Sequence, residues 1–386
     1  MLGLNLNSVA EILVVTAIPS MIISAIVLFP VRRYANKLGL VARPGGHSTH
    51  VNPTPLGGGI GIWAGIVTTF GVGTIVVLLL PDQFDKATSS NLLYDRLPTL
   101  SPGQLNAIRS RIASLWSLLG LASVLFALGI WDDRRGVTPR LRLLVEFAVA
   151  AITVYGLGFG LTAYISLAWL TKLLSVLWIV GLINSFNMLD NMDGLSGGVA
   201  AIIALAMAVV MATVPDPRTG APQILVAALL LVVFGSLLGF LFHNRPPARI
   251  FMGDGGSYLV GYLIATSMLM ATYAGNAATR PHAVLAPLCV MAVPLYDMIT
   301  VLWIRLRERR SIFVGDRSHF SHRLVDLGLS RTQAVLTIYL LTATCGLAAI
   351  LLSKVDLLAA AMVLGIVACM LLLVIILEST GWGDND

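Results

Sequence analysis

Three features of the chain predict an all-α, polytopic integral membrane protein. Hydrophobic residues make up 57% of it and charged residues 11%, well below the roughly 25% charged that a soluble domain carries, and the mean hydropathy is +0.88. The apolar runs are continuous over about 20 residues, the length that crosses a hydrocarbon core as a helix, rather than alternating over about 10 as in a barrel. Lys and Arg gather in alternate connections between those runs. The chain reads as a single transmembrane domain over residues 1–386, with no internal repeat and no domain-sized soluble insertion.

About eleven spans follow, in order. The first, near 9–29, has no Lys or Arg before it and no small-residue cleavage pattern after it, so it is expected to stay rather than be removed as a signal peptide. The second, 57–80, opens on a glycine cluster. The third, 112–131, is preceded by Ser101-Pro102 with Gln104, a capping-box pattern, and the fourth, 142–158, by Thr138-Pro139. Gly156, Gly158 and Gly160 blur the boundary with the fifth, 170–187. The sixth to ninth fall near 195–214, 222–242, 256–274 and 283–304. Ser330 with Gln333 forms a second capping box ahead of the tenth, 333–352, and the last covers 356–377.

One set of alternate loops holds 17 of the 25 basic residues, including Arg32, Arg134, Arg135, Arg245, Arg249 and the 305–331 cluster. That set is assigned to the cytoplasm, which puts the N-terminus outside and the C-terminus inside. The net charge of +6 then reflects topology and an anionic partner. No basic run interleaved with aromatics points to nucleic acid. Cys289, Cys345 and Cys369 all lie in apolar segments and read as packing residues, neither a disulfide framework nor a zinc cluster. The external 81–111 segment carries mixed charge and no recognisable chemistry.

The polar groups at the cytoplasmic ends carry the functional signal. In Asn184-Ser185-Phe186-Asn187-Met188-Leu189-Asp190-Asn191-Met192-Asp193-Gly194, carboxylates and carboxamides sit between two uncharged runs. An unpartnered ionisable side chain within a span costs about 2.5–3.5 kcal/mol, so such groups mark sites. On a helix, Asn187, Asp190 and Asp193 recur every third residue on one side, a face suited to a hard cation. The glycines of Leu56-Gly57-Gly58-Gly59 fit either a phosphate cradle or close helix packing. Asp132 and Asp133 end the third span and either face a metal-bound phosphate or form a cap neutralised by Arg134 and Arg135. Arg142 and Glu146 are spaced as an i, i+4 pair, or Arg142 points at the same anion. In Phe251-Met252-Gly253-Asp254-Gly255-Gly256-Ser257 an aspartate among glycines at a helix N-terminus suits a magnesium ligand. Asp297 lies within the ninth span and needs a partner there. Asp316-Arg317-Ser318-His319-Phe320-Ser321-His322-Arg323 offers His319, His322 and Arg323 for anion recognition; zinc ligation by the His pair lacks supporting cysteines. Together this inventory suits phosphoryl transfer. A secondary transporter is the alternative from another class, and a zinc-dependent membrane hydrolase the third.

These segments, in this order, resemble the polyprenyl-phosphate N-acetylhexosamine-1-phosphate transferases. The resemblance rests on Thr54-Pro55-Leu56-Gly57-Gly58, Asp132-Asp133, Asn184-x-x-Asn187-x-x-Asp190-x-x-Asp193-Gly194, Phe251-x-Gly253-Asp254 and Asp316-x-x-His319-x-x-His322-Arg323, and it runs over nearly the whole chain. It implies a Mg²⁺-dependent enzyme, with Mn²⁺ as a substitute, in which undecaprenyl phosphate attacks the sugar-linked phosphate of a UDP-sugar and UMP leaves. It also implies a multi-pass protein of the bacterial cytoplasmic membrane, active on the cytoplasmic face, with the bilayer and a second copy of the chain as partners. By this resemblance Asp254 and Asn187 are metal ligands, with Asn187 and Asp190 close to metal and nucleotide. Asp132, Asp133, Asp190 and Asp193 are catalytic, and Arg142, His319, His322, Arg323 and Asp297 bind substrate. Arg142 stands where many members have lysine, Glu146 where many have glutamine, Leu56 where arginine is common, and Ser321 interrupts a usual His-His. The histidine stretch points to the WecA/TagO-like branch and a UDP-GlcNAc-like donor rather than to the MraY branch with its MurNAc-pentapeptide substrate.

Overall fold

A computed structural model describes residues 6–42, 53–80, 102–161, 167–214, 216, 223–271, 280–313 and 318–380. These fold into a helical bundle with one small antiparallel pairing, β1 (Val41–Ala42) with β2 (Thr54–Pro55). The helices are α1 (Leu6–Leu38), α2 (Gly58–Leu79), α3 (Pro102–Arg135), α4 (Pro139–Ala151), α5 (Ala168–Leu189), α6 (Leu195–Thr213), α7 (Ile224–Asn244), α8 (Gly253–Met270), α9 (Ala286–Val290), α10 (Ala292–Arg307), α11 (Phe320–Asp326), α12 (Arg331–Leu352) and α13 (Leu357–Thr380). Of the start signals, Ser330 caps α12 in a full box with Gln333, and Pro139 opens α4 although the Thr138 side chain makes no cap bond. The Ser101 signal lies outside the described residues. Because Ser330 is exposed, Ser330→Ala should lose only the cap, about 0.5–2 kcal/mol, read as a small drop in thermal midpoint with activity unchanged.

Eight described helices are long and apolar enough to cross a membrane, nine if the 281–290 and 292–307 segments, bent by 61°, form one broken span. Of the eleven expected spans, two are not among these, each for a physical reason. The segment expected at 142–158 is α4, which passes into a π turn at Ile152–Gly156 and stops before Gly158 in the left-handed region. The segment expected at 256–274 is α8, which begins three residues earlier and is buried along almost its whole length against α2, α3, α5 and α7. A helix wrapped by protein needs no lipid-facing apolar surface, so Ser257, Tyr258, Tyr262, Thr266 and Ser267 are tolerated in it. By contrast α2 and α13, with 17% of their apolar windows buried, lie on the outside. Cys289 and Cys345 pack in the interior, whereas Cys369 of α13 is exposed, contrary to its reading as a packing residue.

Glycines set the approach of α2 and α3 to α8. A Cβ on Gly129 of α3 would lie 2.3 Å from the Gly255 backbone nitrogen, and one on Gly59 of α2 would lie 2.4 Å from that of Gly256. The N–H groups of Gly58 and Gly59 donate to the carbonyls of Phe251 (2.8 Å) and Met252 (3.0 Å). Of the two readings of this glycine cluster, close packing is the one these contacts show, with the Gly58 and Gly59 amides spent on the residues just before α8 rather than left for a phosphate. The pairing of Phe251 N–H with Pro55 O (2.9 Å) completes this junction.

Candidate active site

All the motif segments meet at one end of the bundle, joined by direct hydrogen bonds. Asp133, near the end of α3, accepts from the backbone N–H groups of Asp254 (3.0 Å) and Gly255 (3.3 Å), so it caps α8 and occupies the positive end of its dipole. Gly253 must be glycine twice over: its φ is +71° and a Cβ there would lie 2.5 Å from the Asp133 carboxylate. Asp254 then faces α5, where Asn187 donates its amide to Asp254 Oδ1 at 2.6 Å and to Ser257 Oγ at 3.1 Å. Asp190 accepts from the Gly253 N–H and lies within electrostatic range of Asp254 and Asp133. Enclosure by protein, then the negative charges of Asp254 and Asp133, push the Asp190 carboxyl up to about 8.

Asp132 is held differently. It accepts from the Val137 N–H at 2.7 Å and from the Tyr258 hydroxyl at 3.0 Å. Tyr258, fully buried one turn beyond Asp254, also accepts from Arg142 Nη1 at 3.3 Å. Arg142 pairs in turn with Glu146 (3.8 Å), and Glu146, fully buried, accepts from Asn184 at 2.5 Å. The i, i+4 spacing of Arg142 and Glu146 is thus an ion pair, and the same arginine also lies in electrostatic range of Asp254. Tyr258 was not among the residues singled out from the sequence. The available signal was its position four residues after Asp254 on an otherwise apolar helix face.

The other expected site residues lie outside this cluster. Asn187, Asp190 and Asp193 do not share a helical face, because α5 ends at Leu189 and Asp190 begins a turn that closes at Gly194, φ +77°. Asp193 consequently points at the connection between α7 and α8, where its Oδ2 accepts from the Ala248 N–H at 2.9 Å. Asn244 clamps the same two segments, accepting from Gly194 N–H and donating to Ile250 O, both at 2.8 Å. Asp297 on α10 is buried and accepts from His319 Nδ1 (3.0 Å) and the Phe320 N–H (2.6 Å), so it fixes the start of α11. Arg323 is buried and turned inward: it donates to Glu378 on α13 (2.9 Å), to Thr300 (2.9 Å) and to the Ser318 carbonyl. That placement ties α11 to α10 and α13 instead of presenting the guanidinium to an anion. His322 is partly exposed, and Ser321 links this knot to the acidic turn through Asn191 Oδ1 at 2.6 Å. Asp316 lies outside the described residues.

Comparison with known proteins shows the family. The family model described as glycosyl transferase family 4 matches residues 115–272. The chain is 30% identical to the Bacillus subtilis (strain 168) protein named "Probable undecaprenyl-phosphate N-acetylglucosaminyl 1-phosphate transferase", over 89% of this chain and 85% of that one. The chain belongs to glycosyl transferase family 4. Identity is also 31% to the decaprenyl-phosphate N-acetylglucosaminephosphotransferase of Mycobacterium tuberculosis (strain ATCC 25618 / H37Rv), covering 81% and 75% of the two chains. It is 30% to the undecaprenyl-phosphate alpha-N-acetylglucosaminyl 1-phosphate transferase of Escherichia coli (strain K12), covering 82% and 77%. As a family 4 member the protein is a transferase rather than a transporter, in agreement with the resemblance that its motifs carry. The matched stretch of the family model, 115–272, contains Asp132, Asp133, Asn187, Asp190 and Asp254, the groups that the fold gathers.

Proposed function

We propose that this protein transfers N-acetylglucosamine 1-phosphate from a UDP-linked donor to undecaprenyl phosphate, releasing UMP and initiating a cell-envelope polysaccharide. The reaction takes place at the cytoplasmic face of the bacterial inner membrane. The observation that carries the proposal is the gathering of Asp132, Asp133, Asn187, Asp190 and Asp254 at one end of the bundle, in a chain whose relatives are named for this reaction. The test is direct: purified protein with Mg²⁺, undecaprenyl phosphate and UDP-GlcNAc should release UMP, and absence of turnover across a panel of UDP-sugars would overturn the proposal.

The donor set suits Mg²⁺, with Mn²⁺ as a substitute, because the cluster offers carboxylate and carboxamide oxygens and no thiolate or imidazole. Among the described residues no three His, Cys, Asp or Glu side chains form a ready-made cage. Mg²⁺ does not require one, since it usually keeps several waters and takes substrate phosphate oxygens as ligands. Asp254 and Asn187 would hold it, with Asp190 beside them, and when bound it would neutralise charge on the diphosphate.

The chain's own carboxylates divide the remaining work. Asp133 is committed to the α8 N-terminus by two backbone hydrogen bonds and acts as the anchor. Asp132, oriented by Tyr258 and not committed to the α8 N-terminus, takes the proton of the lipid phosphate so that its oxygen attacks the sugar-linked phosphorus. Tyr258→Phe should therefore lower kcat about 10- to 100-fold, the worth of a hydrogen bond to a charged group, with little effect on the KM for the donor. An unchanged kcat would remove Tyr258 from the reaction. The orientation is checked separately: Ser311→Cys, on the exposed segment after α10, in a cysteine-free background should be shielded from impermeant reagents outside intact cells.

A further inference from the structure

A line of five side chains runs from α5 to the acidic cluster, and the proton transfer assigned to the cluster involves only its last two members. It starts at a buried carboxylate. Glu146 of α4 is fully enclosed, and its Oε2 accepts from Asn184 Nδ2 at 2.5 Å. The Asn184 amide also donates to the Val180 carbonyl at 2.9 Å, so α5 fixes that edge of the carboxylate. The other edge, Oε1, faces Arg142 Nε at 3.8 Å, too far for a hydrogen bond. Both atoms are closed to solvent and, among the described residues, neither has a hydrogen-bond partner. What joins them is charge.

Arg142 turns another of its nitrogens to α8. Nη1 donates to the Tyr258 hydroxyl at 3.3 Å, and the guanidinium carbon stands 5.9 Å from the centre of the Tyr258 ring. A planar guanidinium presents Nε to one group and Nη1 to another in fixed geometry, which the point charge of an ammonium does not. A phenol, in turn, has one hydrogen to give. With its oxygen accepting from Arg142, the Tyr258 hydroxyl directs that hydrogen to Asp132 Oδ2, 3.0 Å away. Stability alone does not account for the buried pair, since well-packed apolar side chains would often serve as well or better. What the pair adds is direction. Without the Glu146 charge the guanidinium would be drawn toward the cluster, because Asp254 lies within its electrostatic range.

We infer that Glu146 is a positioning residue for the transfer step: its charge holds the Arg142 guanidinium against Tyr258, and that contact fixes the Tyr258 hydroxyl on Asp132. This rests on the function proposed above and extends its machinery to a side chain that touches no reacting atom. Glu146→Gln keeps the shape and an acceptor for Asn184 while removing the charge. It should lower kcat about tenfold, the lower end of the loss expected for Tyr258→Phe, and leave the KM for UDP-GlcNAc within about twofold. Glu146→Asp keeps the charge and should hold kcat within about threefold of wild type.

The deciding measurement is the same substitution in a Tyr258→Phe background, with UMP release as the readout. Side chains that act through one another lose their separate effects when the shared member is gone. Glu146→Gln should therefore change kcat by less than about twofold in that background. A role in packing alone would instead cost the same factor in both backgrounds. Should Glu146→Gln fail to give folded protein, Asn184→Ala carries the comparison: it releases one edge of the carboxylate and should lower kcat about fivefold, again only where Tyr258 is present. Equal losses in the two backgrounds, an unchanged kcat in Glu146→Gln, or a loss confined to the donor KM would overturn the assignment while wild-type UMP release continued. Failure of the reading underneath it would appear as no UMP release from the wild-type protein.

Discussion

Asp254→Asn is expected to reduce UMP release by about 10³-fold or more, the scale of losing a principal charge-stabilising group, while the protein remains folded. The substitution is nearly isosteric, and the groups around Asp254 survive it. Asp133 still caps α8 through the backbone N–H groups of residues 254 and 255, and Ser257 remains to partner Asn187. What disappears is one negative charge at the point where Asp132, Asp133 and Asp190 all bear on it. The measurement is single-turnover UMP release at saturating donor and acceptor, alongside the thermal midpoint. Retained turnover with a raised Mg²⁺ requirement would make Asp254 one ligand among several; turnover unchanged at all Mg²⁺ concentrations would remove it from the reaction.

Gly129→Ala should be nearly as severe for a different reason. The added methyl would sit 2.3–2.5 Å from backbone atoms of Asp254 and Gly255, which cannot rotate away as a side chain could. Overpacking of this kind typically costs about 1–3 kcal/mol, and relief requires α3 to move off α8. Such a shift pulls Asp133 from its cap and changes the spacing of Asp132 and Asp254, and misplacement by about 1 Å is enough for roughly a 100-fold loss of rate. The expected result is a lowered thermal midpoint together with a kcat reduced about 100-fold. Gly120→Ala on the same helix, with nothing within 4 Å of its Cβ position, serves as the control and should change neither.

The membrane fold was legible because the property that determines it, continuous apolarity over the thickness of a bilayer, is itself a property of the sequence. The character of α8 was less so. Hydropathy measures what a helix shows to lipid, and α8 shows almost nothing to lipid, so polar residues accumulate in it without penalty. The site was legible as an inventory and less so as an arrangement. The three-residue recurrence of Asn187, Asp190 and Asp193 suggested one helical face, although Asp190-Asn191-Met192-Asp193-Gly194 is also rich in turn-forming residues, and the turn prevailed. Arg323 looked like a free cation because its counter-ion, Glu378, is 55 residues away and reads as a solvated helix end. Tyr258 and Asn244 escaped notice because a tyrosine or asparagine within an apolar run has no local partner that announces its task; their partners, Asp132 and Gly194, are distant in the chain.

The contact between Glu378 and Arg323 bears on how the protein is made. Glu378 also accepts from the Tyr296 hydroxyl at 2.5 Å, so α13 supplies the carboxylate that holds α10 and α11 in register behind His319. While a nascent chain is emerging from the ribosome, every acid of the cluster is inserted long before that carboxylate arrives. A chain ended a turn before residue 378 would lack the acceptor that Arg323 and Tyr296 share, leaving the histidine segment tied to α10 through Thr300 and Asp297.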